Sequence, residues 1–307
     1  MTTALFTHDV CELHEISPGH PEQPARIKAV LDQLREEQLF DRLDHKEAPL
    51  AVLDHLARAH GNAYVDHIVE SSPKSGSTQL DPDTSMNPYS LDASRRAAGA
   101  GVEAVRDVLE GRYKNAFCAV RPPGHHAEKE KAMGFCFFGS VAVAAFHALD
   151  ELGLERVAIV DFDVHHGNGT EDLVVGDKRI MFCSSFQHPF YPGYYRQSVP
   201  GHLVNVPLAA GTGSNKFREA ISSQWMPELD AFAPELIIIS AGFDAHQQDP
   251  LASLELGDDD FEWVTREIAT VADKHAGGRI VSMLEGGYSL PALGRSAARH
   301  TSVLLEL

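Results

Sequence analysis

Short apolar runs rich in β-branched residues alternate along this chain with longer amphipathic stretches, and that alternation leaves few architectures open. Residues 116–120, 157–161, 180–183, 236–240 and 280–284 have the length of strands, and several are apolar throughout, as strands covered on both faces should be. Helical periodicity covers residues 24–37, 92–109, 140–152, 216–232, 258–275 and 291–304. The pattern predicts one α/β domain over residues 1–307, with a mostly parallel multi-stranded sheet and helices on both faces. Ligands of such sheets bind beyond the carboxyl ends of the strands, so chemistry should follow each strand run.

Polar or glycine-rich residues follow all five. Arg121-Pro-Pro-Gly-His125-His126 follows the first run, Asp161-Phe-Asp163-Val-His165-His166-Gly-Asn168 the second, and Ser184-Ser185 the third. Gly242-Phe-Asp244 follows the fourth and Glu285-Gly-Gly-Tyr288 the fifth. Asp163 and His165 are two apart, so on extended backbone both side chains point to one side. A carboxylate and an imidazole converging there suit Zn²⁺ or another borderline divalent metal, and Asp244 is the natural third ligand. His125 and His126 diverge as neighbours, which suggests one general base and one partner tuning the local charge. Tyr288, after two glycines, could donate to the oxygen that becomes negative when water attacks a carbonyl. Each piece alone has a plainer alternative: a hydrogen-bonded strand terminus, a pair of structural loop histidines, a turn with an aromatic.

Charge narrows the partners. With 26 basic and 44 acidic residues the net charge is −18, which repels phosphate backbones, so no nucleic-acid partner is expected. Cationic substrates such as polyamines or Lys-rich peptides would be attracted, although the same charge also serves solubility alone. No apolar run is long enough for a membrane span, and the first residues do not read as a secretory leader. Cys11, Cys118, Cys136 and Cys183 are scattered and form no CxxC pair, which points to a reducing cytoplasm. Residues 71–90, rich in Ser, Pro and Gly, read as a long surface loop.

With these residues assembled, the chain resembles the histone deacetylase-type zinc amidohydrolases of the arginase/deacetylase superfamily, nearer the class II and bacterial deacetylase-like branch. The resemblance runs from about Gly19 to Leu305. It rests on His20-Pro-Glu-Gln-Pro-Ala-Arg26, Arg121-Pro-Pro-Gly-His-His-Ala127, Gly134-Phe-Cys-Phe137, Asp161-Phe-Asp-Val-His-His-Gly-Asn-Gly-Thr170, Ala241-Gly-Phe-Asp-Ala-His-Gln-Gln-Asp-Pro-Leu251 and Leu284-Glu-Gly-Gly-Tyr288. It implies the arginase/deacetylase fold and a catalytic Zn²⁺ on Asp163, His165 and Asp244. His126 would be general base and then acid, His125 its electrostatic partner oriented by Asp161, and Asn168 would stand behind His126. Tyr288 would polarise the amide carbonyl. Gly134, Phe135 and Tyr191 match the walls of a narrow tunnel, Leu251 its rim, and Arg26 the arginine lining the pocket below the metal. A structural K⁺ is implied near the zinc, through Asp161, Asp163 and His165 with Ser184 as a further ligand. Gly139, Phe186 and Val174 depart from the family pattern, which usually has Asn, His and an aromatic there.

The implied activity is removal of acetyl or related acyl groups from acyl-lysine side chains of a peptide or protein. The alternative is a cationic small-molecule amide such as an acetylpolyamine. Against it, residues 71–90 are too few for the dimerising loop of one such branch, and Leu251 stands where another places Glu. A binuclear manganese ureohydrolase would need carboxylates where Gly167 and His246 stand. An inactive acyl-binding protein would be expected to lack a ligand, the His pair or the tyrosine, and all are present.

Overall fold

The expected strand runs pair with one another in a single parallel sheet. In the computed structural model, which describes residues 2–307, the strands in chain order are β1 (Thr3–Thr7), β2 (Asp44–Glu47), β3 (Thr78–Asp81), β4 (Thr84–Met86) and β5 (Asn115–Cys118). They continue with β6 (Val157–Asp161), β7 (Ile180–Gln187), β8 (Leu203–Leu208), β9 (Leu236–Ala241) and β10 (Ile280–Leu284). Eight of them form one sheet in the order β2-β1-β5-β10-β9-β6-β7-β8, every neighbouring pair parallel. The five runs legible in the sequence are the five contiguous strands β5-β10-β9-β6-β7, so their carboxyl ends lie side by side.

Helices cover both faces, as β10 demonstrates. Successive residues on a strand face opposite ways. Ser282 meets His300 of the helix Leu290–Glu306, whereas Met283 presses against Gly101 of the helix Ser90–Leu109.

The structure corrects several expectations. β7 runs on to Gln187, so Ser184 and Ser185 lie inside a strand rather than after one. The edge strands β2 and β8 were not anticipated: β2 reads Asp-His-Lys-Glu and carries no apolar signal, and β8 contains Pro207, which an edge tolerates. The helices Leu53–His60 and Asn62–Ser71 were also missed. Residues 216–232 are not one helix, because a π-helical turn at Ile221–Trp225 separates Ser214–Ala220 from Met226–Phe232.

The stretch 71–90 is more than a surface loop. It holds the antiparallel hairpin β3–β4, and Thr84, Ser85 and Met86 are buried. Their polar groups are tied down: Ser85 Oγ donates to Ile16 O, and Thr84 Oγ1 accepts from Phe135 N. Composition reports polarity; it does not report that the polarity is satisfied inside.

Two buried histidines are locked neutral. Thr265 Oγ1 donates to Phe261 O, so His300 Nδ1–H must donate to Thr265, leaving Nε2 to accept from Ser282 Oγ. His60 Nε2 accepts from Gly139 N at 2.9 Å, so its Nδ1–H faces Glu128 O at 3.0 Å. Burial pushes His300 down to about 3 and His60 down to about 4. An unfolded chain takes up these protons near pH 6.5, the folded one only below about 4, so folding stability should fall as pH drops through that window. Urea unfolding at pH 7 and pH 5 would measure the loss, and His300→Asn, which removes one titrating group, should lessen it.

Candidate active site

β6 ends in Asp161, and the chain then bends through Asp163, Val164 and His165 rather than running on extended as expected. β9, its sheet neighbour, delivers Asp244 three residues past its end. His165 Nδ1 lies 3.1 Å from Asp163 Oδ1 and 3.2 Å from Asp244 Oδ2. One ligand atom from each of the three residues falls within 4.8 Å of the others, and all three are buried. Backbone N–H groups aim the carboxylates: Gly286 N donates to Asp163 Oδ2 at 2.8 Å, His165 N to Asp163 Oδ1 at 2.9 Å and Val164 N to Asp244 Oδ1 at 2.9 Å. Asp244 Oδ2 is buried without a hydrogen bond. A Cβ on Gly242 or Gly286 would collide with these carboxylates, so only glycine permits the approach. Two carboxylates, one imidazole and an orphaned buried oxygen together fit a divalent cation of the zinc type.

The electrostatics agree. Burial and the neighbouring charge of Asp163 push Asp244 up to about 7. Burial opposes charge at Asp163 as well, yet the imidazoles of His125 and His165 hold it below the usual carboxylate range. At His165 burial is outweighed by the two carboxylates, which lift the imidazole to about 10. The cluster is a sink for positive charge.

The histidine pair is divided by its partners. His125 Nδ1 pairs with Asp161 Oδ2 at 2.9 Å, and its Nε2 lies 3.8 Å from Asp163 Oδ1. Burial would keep His125 neutral, but the charges of Asp163 and Asp161 raise it well above the ordinary histidine value. His126 Nδ1 faces the neutral Asn168 Oδ1 at 2.7 Å. Burial, with His125 and His165 alongside, holds His126 well below that value. The fold thus biases the two rings in opposite directions, His125 toward the imidazolium and His126 toward the neutral base.

Gly134, Phe135, Tyr191 and Leu251 line one cavity of about 70 Å³ with His126, His165 and Tyr288. Gly134 has φ +57°, and a Cβ there would strike the His126 ring. A larger, shallower hollow of about 380 Å³ beside residues 7–9 and 45–47 carries none of this chemistry. Tyr288 is buried; burial raises its phenol well above its ordinary value, though Arg26 opposes this, so the hydroxyl stays protonated.

Other expected residues stand outside this cavity, behind the groups that line it. Arg26 does not line the described cavity; its guanidinium lies 5.0 Å from the Tyr288 ring centre and donates to the carbonyls of Gly287 and Glu285. Ser184 pairs with His166 Nδ1 at 3.1 Å and sits opposite Asp161 in the β6–β7 register. Asn168 and Asp161 touch the two histidines rather than the cavity. At Gly139 the space of a side chain is filled by Leu173, and its N–H is spent on His60.

Three residues were overlooked. Asp83, at the hairpin turn, lines the cavity and accepts from Gly134 N at 3.0 Å. Glu285 Oε2 accepts from Gly124 N at 2.6 Å and His125 N at 3.1 Å, clamping the histidine loop. Asp249 accepts from the N–H groups of Leu251, Tyr288 and Ser289. Glu285 and Asp249 lie inside recognisable motifs, but their acceptors are backbone-directed, and side-chain spacing gives no sign of that. Asp83 had only the Pro-Asp turn signal.

Comparison with known proteins agrees with this geometry. The histone deacetylase domain model matches residues 20–304. A probable deacetylase of Archaeoglobus fulgidus is 38% identical over 94% of this chain and 82% of its own length. A histone deacetylase-like amidohydrolase of Pseudomonas aeruginosa is 36% identical, over the same 94% and 82%. The crystal structure of the HDA15 HD domain superposes with a TM-score of 0.93 at 35% identity, covering 99% of this chain and 90% of that one. Likeness in sequence and in backbone thus runs through every strand end that builds the site, and this chain belongs to the histone deacetylase family, as an enzyme of its deacetylase and amidohydrolase class.

Proposed function

We propose that this enzyme removes acetyl or related acyl groups from acyl-lysine side chains, with one Zn²⁺ held by Asp163, His165 and Asp244. The observation that carries the proposal is the converging carboxylate–imidazole–carboxylate cluster beside a neutral histidine, on a cavity only about 70 Å³ in volume. Bound there, the ion would act as a Lewis acid on the amide carbonyl and make an attacking water more acidic.

The chain's own residues supply the rest. His126, with its Nδ1 committed to Asn168, offers Nε2 to take a proton from water and return it to the departing amine. His125, drawn toward the imidazolium by Asp163 and Asp161, offsets the carboxylates and disfavours a resting proton on His126. Tyr288, protonated by its burial, donates to the oxygen that becomes negative. Phe135, Tyr191 and Leu251 suit the alkyl stem of a lysine, and Gly134 lets the chain pass close to the His126 ring. We assign a structural K⁺ to Asp161 and Ser184, beside Asp163 and His165, on the strength of their register on adjacent strands. One catalytic domain over residues 1–307 is part of the same reading. So is a cytoplasmic setting, which four buried cysteines without disulfides support. Among the described residues no helix is long and apolar enough to cross a membrane. An acetylated polyamine is the second reading, favoured by the net charge of −18 and by the Asp83 carboxylate on the cavity.

Tyr288→Phe should lower kcat by about 10²- to 10³-fold with melting unchanged. His126→Ala should cost about 10²- to 10⁴-fold; parental rates in both variants would overturn the mechanism. Chelation should abolish activity and lower the melting temperature, Zn²⁺ should restore both, and Asp244→Asn should block the recovery. The ratio of kcat/KM for an acetyl-lysine peptide to that for an acetylpolyamine should exceed one. The reverse order would move the enzyme to the second reading.

A further inference from the structure

Asn168 reaches His126 with one end of its amide and Glu128 with the other. Its Oδ1 lies 2.7 Å from His126 Nδ1, and its Nδ2 lies 2.8 Å from Glu128 Oε1. A primary amide is nearly symmetric in shape, so only its partners decide which end carries the oxygen. His126 cannot decide, because a neutral imidazole nitrogen can donate or accept. The hydroxyl of Tyr194, 3.2 Å from Asn168 Nδ2, cannot decide either, since it can do both, and Met133 Sδ at 3.5 Å, though it only accepts, is a weak partner. A carboxylate only accepts. It therefore demands the NH₂ group, turns Oδ1 towards His126, and requires the proton of that ring to sit on Nδ1.

We infer that Glu128 is a positioning residue: it orients the Asn168 amide and thereby selects the His126 tautomer whose Nε2 is unprotonated. The inference rests on the reading of His126 as general base. Glu128 is well placed for the task. Its main chain is pinned by the His60 Nδ1–H bond to its carbonyl and by its own N–H bond to Lys131 O at 2.9 Å. Tyr194 donates to the same Oε1 at 2.5 Å, which keeps the carboxylate from swinging to solvent. Asn168 opens the helix Asn168–Val174, and Gly169 lets that helix lie against the backbone of His126 and Ala127, where a Cβ would clash. The catalytic segment 125–128 thus carries both a base and, two residues on, the group that sets its tautomer. The need arises because residue 168 is an amide: an aspartate there would present oxygen at either end, and no third group would have to orient it.

A double-mutant cycle tests this on the metal-loaded enzyme with an acetyl-lysine peptide. Glu128→Ala should lower kcat by about 10- to 100-fold, with KM changed far less. Glu128→Gln, an acceptor in only one of its two orientations, should fall between, and Glu130→Ala, an exposed carboxylate on the same segment, should match the parent. In an Asn168→Asp background the sign should invert: adding Glu128→Ala should raise kcat, because it removes a repelling carboxylate while the introduced carboxylate orients His126 unaided. Equal losses in both backgrounds would mean a merely structural Glu128 and overturn the inference. So would a parental kcat in Glu128→Ala alongside an inactive His126→Ala. An active His126→Ala would instead remove the reading of His126, and the inference with it.

Discussion

Two carboxylates that cannot reach water share one imidazole nitrogen at the centre of this protein, and the surrounding structure is arranged to make that tolerable. Asp163 and Asp244 are fully buried on adjacent strand ends. Isolated charges there would be prohibitive. Three backbone N–H groups from two segments point at them, glycines at 242 and 286 let the main chain approach, and His165 and His125 face them with imidazoles. A site so heavily biased toward cations is one that a divalent metal can occupy, with one side turned to the cavity for chemistry.

A second buried ionic group holds this arrangement in place from behind. Glu22 takes a bidentate pair from Arg121 at 2.7 and 2.5 Å and a third bond from Arg26 at 3.0 Å. Arg121 opens the histidine loop and also donates to the carbonyls of Cys11 and His14, while Arg26 backs Tyr288. The N-terminal segment is thereby tied to both the histidine loop and Tyr288. Removing one partner of such a buried group typically costs about 3–5 kcal/mol, because the others are left as unpaired charges.

Much of this was legible in advance, for reasons that can be named. A parallel strand buried on both faces must be apolar along its length, so β6, β9 and β10 stood out as runs. Asp163 and His165 were readable because a carboxylate and an imidazole stand two apart just past a strand end, although the chain bends there instead of continuing extended. Edge strand β2 was not readable, since a half-solvated edge makes no demand on hydrophobicity. The hairpin at residues 78–86 was hidden because its buried polar groups look, in composition, like those of a loop.

By itself the sequence determined the α/β class, five of the eight sheet strands, and the polar residues gathered at their ends, because periodicity and residue type are local properties. Strand order lay beyond it. That β10 sits between β5 and β9, and so brings Glu285 to the histidine loop and Gly286 to Asp163, depends on pairings between residues distant in the chain, as of Ile280 with Asn115 on one side and Ile237 on the other. The division between the two histidines was also decided only in three dimensions. Adjacent in the chain and identical in type, His125 and His126 differ because the fold sets a carboxylate against one and an amide against the other.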